Sequence, residues 1–123
     1  ASIKLSELNI GIGPFVVGPA IERKIGLSGM SQIAIDANSF YSATWATEKG
    51  LFTHVFDSNE ALDEAVKTTA EHLCTYNTEA MREMKSVFWK GTEDWDVVLA
   101  ERAQISGRLV LSEFTKEKLK GFK

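Results

Sequence analysis

The stretch LSELNIGIGPFVVGPAIERKIG, residues 5–26, sets one carboxylate, Glu7, between alternating apolar residues and a loop punctuated by Gly11, Gly13, Pro14, Gly18 and Pro19. Ile3, Leu5 and then Leu8 read as an alternating run, which predicts a strand with Glu7 at its end. Downstream, Gly18 stands at an expected N-cap and Pro19 at the first helical position, where its missing amide costs nothing. That predicts a short helix over 18–26, stopped at Gly26. A strand at a chain terminus has unpaired backbone groups on both edges. The expectation is therefore a fragment of a larger sheet, since nothing nearby pairs with it.

Beyond this stretch the pattern is mostly helical. Short helices are expected over 28–38 and 42–49, the second stopped by Gly50, with LFTHVF (51–56) as a short strand. From Ser58 the apolar positions Leu62, Val66 and Leu73, with Thr69 between, step by four, three and four, a helical face behind a serine cap. Residues 77–90 continue with Met81, Met84, Val87 and Phe88, ending at Gly91. Thr92 is read as opening the longest helix, with Trp95, Val98, Leu99, Ile105, Leu109 and Val110 spread over much of its circumference. A helix apolar on so many sides is packed by more than one partner. Thr115 is read as the cap of a last turn, TKEKLKGFK. The fold class is mainly α, as one structural unit without repeats or low-complexity linkers.

The 123 residues, 44% hydrophobic and 25% charged, have ordinary globular usage and the length of one domain. A net charge of −3 argues against nucleic acid, because phosphate binding draws on a surplus of Lys and Arg. The apolar runs at 15–17 and 97–100 are far shorter than a membrane span, and no signal peptide is visible, so a soluble, cytoplasmic protein without membrane partners is expected. Cys74 is the single cysteine, and inside a helical pattern it reads as a small buried hydrophobe. No spacing of His, Cys and carboxylates predicts a metal: Glu71 and His72 are adjacent and face different sides of a helix.

Two nucleotide motifs fail. GIGPFV has the first two glycines of a dinucleotide fingerprint, but Val16 stands where a third must allow close helix approach. From Gly13 to Gly18 the glycine spacing is that of a P-loop, yet Pro19 and Ala20 replace the lysine and hydroxyl that hold phosphate and magnesium. Glu7 then has two readings. It is a solvated side chain at a strand end, or a carboxyl beside a glycine-rich turn, walled by Leu8, Ile10, Ile12 and Phe15. Desolvation favours the uncharged form of a carboxyl, and such a group can act as a general acid.

The run from Leu5 to Gly26, followed by ATEKGLFTHVF and the helix from Asn59, resembles the later part of the crotonase family, the enoyl-CoA hydratase/isomerase superfamily. The motifs carrying the resemblance are Ser6-Glu7, the turn from Gly11 to Pro14, Gly26, and Ala46 with Gly50-Leu51-Phe52. In place of the Gly-Gly-Thr-x-Arg-Leu run of short-chain hydratases stands Phe15-Val16-Val17-Gly18-Pro19-Ala20-Ile21, closer to the branch containing methylglutaconyl-CoA hydratases.

The resemblance implies a fold: residues 1–57 as the end of a spiral of strand-strand-helix turns, and 58–123 as a helical region that assembles trimers or dimers of trimers. It implies an acyl-CoA thioester as substrate and no separate cofactor, coenzyme A being part of that substrate. In hydration, two backbone amides steady the charge on the thioester oxygen, one glutamate deprotonates water and a second gives a proton to the α-carbon. Glu7 falls at that second position; the amides and the first glutamate are expected upstream. In the family's isomerases the carboxylate here shuttles the proton alone, so both reactions remain open, as does a non-catalytic helical assembly module. By the resemblance Phe15 and Val16 shape the acyl pocket, with plain core residues as the alternative. Phe122 and Lys123 are placed near the adenine and 3′-phosphate of CoA, with a solvated helix end as the alternative.

Overall fold

In a computed structural model of the chain, which describes residues 1–121, strand β1 (Ser2–Ile3) pairs antiparallel with β2 (Tyr41–Ser42), Ser2 opposite Ser42 and Ile3 opposite Tyr41. The Ala43 amide adds a bond to the Ala1 carbonyl at 3.1 Å. The terminal strand thus finds one neighbour within the chain, forty residues on, which the local sequence did not supply. Nor does it reach Glu7. The step from Leu5 to Leu8 is three residues, not two, and here the backbone coils into a 3-10 turn, Glu7–Ile10.

Helix α1 (Gly18–Ile35) begins after an N-cap at Val17, one residue before the expected cap, with Pro19 in its first turn. Gly26, at φ 71° and ψ 170°, interrupts it. The break expected at this glycine is therefore real, and the two segments run on across a kink. Helix α2 (Ala43–Glu48) follows, capped by Ser42, whose Oγ accepts from the Trp45 amide at 3.1 Å. LFTHVF is not a strand. The Leu51 and Phe52 amides both turn back to the Ala46 carbonyl, at 2.8 and 3.0 Å, so the segment closes α2 and has no ladder to join.

Helices α3 (Asn59–Thr75) and α4 (Thr78–Phe88) start at Ser58 and Asn77, whose side chains accept from the Ala61 and Ala80 amides at 3.1 and 2.8 Å. Each cap satisfies an amide that the first turn leaves without a helical partner. Helix α5 (Trp95–Val110) is shorter than α3, and Thr92 lies in the turn before it. The last helix, α6 (Glu113–Lys120), is capped by Ser112 rather than Thr115.

The chain is mainly helical with a small open two-stranded sheet, and it parts into two compact units. The first comprises residues 1–54 and 96–123, the second 55–95. In the first, Met30 and Ile33 of α1 are buried with Ala37 and Ala46. Beside them Tyr41 donates its hydroxyl to Asp36 Oδ2 at 3.1 Å and sets its ring 4.4 Å from that of Trp45. Ile35 and Phe40 nevertheless remain 75% and 70% exposed. In the second unit the Trp89 and Trp95 rings meet edge to face with centroids 6.0 Å apart. Neither α3 nor α4 buries a residue, and Leu62, Val66, Met84, Val87 and Phe88 all face out. Cys74, expected inside, is exposed for the same reason: its helix has no covered face. Among the described residues no helix is long and apolar enough to cross a membrane.

Candidate active site

Glu7 opens the 3-10 turn after Ser6. The Asn9 amide bonds the Ser6 carbonyl at 3.0 Å, the Gly11 amide bonds Leu8 at 3.1 Å, and the Ile12 amide returns to the Glu7 carbonyl at 3.0 Å. The segment 6–12 is therefore closed on itself by backbone bonds. Asn9 ties it to the core through Nδ2, which donates to the Ala37 carbonyl at 2.8 Å. Glu7 itself is half-buried, and its Oε2 is buried with no hydrogen-bond partner among the described residues. A buried carboxylate oxygen left unmatched costs free energy, and such a group is retained where something else completes it.

Gly11 ends the turn in the left-handed region at φ 82°. A Cβ there would stand 2.5 Å from Phe114 Cδ1 and 2.7 Å from Thr115 Oγ1. The first turn of α6 thus rests directly on the backbone that carries Glu7. Thr115 is fully buried, with Ser112 Oγ donating to its Oγ1 at 3.2 Å and accepting from its amide at 3.3 Å. Thr115, expected as the cap, lies inside the helix, and no pattern in the sequence marks Phe114. The signal is Ser112, whose oxygen caps the helix and places Thr115 within its first turn.

Of the other residues singled out from the sequence, Phe15 folds its ring back on Gly13, where a Cβ would lie 2.6 Å from Cε2. Val16 is exposed in the loop before α1. Phe122 and Lys123 lie outside the described residues. Upstream of them, Lys116 Nζ pairs with Glu113 at 2.7 Å, Lys120 pairs with Glu117, and Lys118 lies over the Phe114 ring at 5.6 Å from its centroid. Among the described residues no group of His, Cys, Asp and Glu could hold a metal ion.

No protein-family model matches the sequence, and no curated protein matches it either. Solved structures do match in fold. An enoyl-CoA hydratase/isomerase from Pseudoalteromonas atlantica aligns with a TM-score of 0.84 at 18% identity, over 99% of this chain and 49% of that one. OdaA from Pseudomonas aeruginosa aligns with a TM-score of 0.84 at 21% identity, over 99% of this chain and 50% of that one. The chain therefore shares the fold of about half of each of those structures, a partial crotonase fold with its helical region. It spans about half the length of the structures it matches.

Proposed function

We propose that this chain is the later half of a crotonase-family subunit that adds water across the double bond of an enoyl-CoA thioester, with Glu7 giving the proton to the α-carbon. The observation that carries this reading is the Glu7 carboxylate, with its unpartnered buried oxygen on a glycine-closed turn, in a chain of crotonase fold. In the balanced step the hydroxyl of water joins C3, its proton passing to a second glutamate, while Glu7 protonates C2. The second glutamate and the amides that steady the thioester oxygen belong, on this reading, to the other half of the subunit. Phe15 and Val16 border the acyl chain. The same position of Glu7 serves a double-bond isomerase, and the products separate the two. The test is to incubate the full-length protein with crotonyl-CoA and with a 3-enoyl-CoA. Loss of the conjugated thioester to a 3-hydroxyacyl product supports hydration. Conversion of the 3-enoyl to the 2-enoyl thioester alone assigns isomerisation, and no reaction of either overturns both.

In this reading residues 1–57 end the spiral core and 58–123 supply the helical region through which subunits assemble. The exposed apolar side chains of α3 and α4, together with Ile35 and Phe40, call for a cover, and copies of the same chain in a trimer or dimer of trimers provide it. The 123-residue chain alone is therefore expected to self-associate at micromolar concentration and to hydrate no enoyl-CoA. Light scattering that finds a stable monomer, or measurable hydration by the purified chain, would contradict this.

The tail carries a third expectation. With Phe122 stacked on adenine and Lys123 paired with the 3′-phosphate, deleting residues 121–123 from the full-length protein weakens CoA binding. The loss is larger at low salt, where charge pairing is less screened. Unchanged affinity at both salt concentrations would contradict the contact of these residues with CoA.

A further inference from the structure

We propose that Phe114 and Thr115, in the first turn of α6, are positioning residues for the Glu7 carboxylate, an inference that rests on the reading of Glu7 as proton donor. Among the described residues Glu7 Oε2 has no hydrogen-bond partner, so no bond from them to that oxygen aims the side chain. The backbone of the turn it stands on fixes where that side chain starts. Beside the packing of α1, two contacts hold that backbone from outside. One is the Asn9 bond to the Ala37 carbonyl. The other is α6, close enough that Gly11 has no room for a Cβ against Phe114 and Thr115.

The support is itself held. Thr115 is locked inside the helix start by Ser112, and the Phe114 ring lies beneath the Lys118 ammonium. Phe114 is 59% exposed, so its ring contributes little to the core beyond this contact. Its contact with Gly11 is therefore the packing that truncation of the ring would remove. Proton transfer to carbon needs donor and acceptor aligned at near-contact distance, and misplacement by about 1 Å costs on the order of a hundredfold. Shortening Phe114 would let the turn relax toward the gap and swing Glu7 off line.

The experiment is steady-state hydration of crotonyl-CoA by the full-length protein, with Glu7→Gln, Phe114→Ala, Phe114→Tyr and, as a control on the same segment, Leu111→Ala. Leu111 is exposed before α6 and caps nothing. Phe114→Ala is expected to lower kcat by about ten- to a hundredfold with KM within twofold and an unchanged melting temperature. Phe114→Tyr, which keeps the ring on Gly11, restores kcat, and Leu111→Ala leaves it alone. A normal kcat in Phe114→Ala, a loss that tracks a lowered melting temperature, or a change in KM alone overturns the positioning role while Glu7→Gln still fails to turn over. Full turnover by Glu7→Gln removes the reading of Glu7 and this inference with it.

Discussion

Replacing Glu7 with glutamine is expected to lower enoyl-CoA turnover by the full-length protein about two to four orders of magnitude, the span of a general acid–base group. Glutamine keeps the size and shape of the side chain and loses only the ability to deliver a proton. The buried Oε2 makes no hydrogen bond with the described residues, so the substitution breaks none there. Stability and acyl-CoA binding should therefore stay near the wild-type values, and the loss should fall on kcat. Steady-state rates, a direct binding titration and a thermal melt of the same preparation check the three parts. Near-normal turnover with crotonyl-CoA would end the assignment of Glu7 as proton donor.

The second large effect is structural, and its sign depends on which glycine is changed. Gly11→Ala must hold a side chain at φ 82°, which costs about 1–2 kcal/mol. It must also fit a Cβ 2.5 Å from Phe114 Cδ1 and 2.7 Å from Thr115 Oγ1, and overpacking of that kind costs roughly 1–3 kcal/mol more. Together these take a large share of the ~5–15 kcal/mol that holds an ordinary domain folded. Gly26→Ala meets nothing within 4 Å, so only the strain of its φ of 71° remains. Gly107 lies inside α5 with open space around it, and alanine there should stabilise by about 0.5–1 kcal/mol. Chemical denaturation of the three variants should rank them Gly11→Ala lowest, then Gly26→Ala, with Gly107→Ala above wild type. A Gly11→Ala protein as stable as wild type would mean that α6 does not rest on this turn.

The exposed apolar side chains give the same molecule a second dependence. The few buried apolar residues, Met30, Ile33, Ala37 and Ala46, make a small core for so long a chain. Folded stability should then rise with protein concentration as copies cover Ile35, Phe40 and the faces of α3 and α4, since association stabilises whatever binds only the folded form. The glycine series is accordingly best compared at one concentration.

What could be read from the residues alone was local in origin. Ser42, Ser58 and Asn77 cap helices because their oxygens reach an amide three residues on, and Gly26 breaks α1 because it alone takes that backbone angle at no cost. The ordering of Ser6-Glu7, the Gly11-to-Pro14 turn and Gly50-Leu51-Phe52 likewise carries the resemblance on which the expected fold class rests, because motif order is a property of the chain itself. Distance decided the rest. Whether β1 has a partner depends on Tyr41 and Ser42 returning beside it, and whether LFTHVF is a strand depends on a neighbouring ladder that is not there. Burial of Cys74 depends on a covered face that α3 lacks. Phe114 and Thr115 stand more than a hundred residues from Gly11, and only the fold sets them against it, since contact between distant segments leaves no period in the sequence.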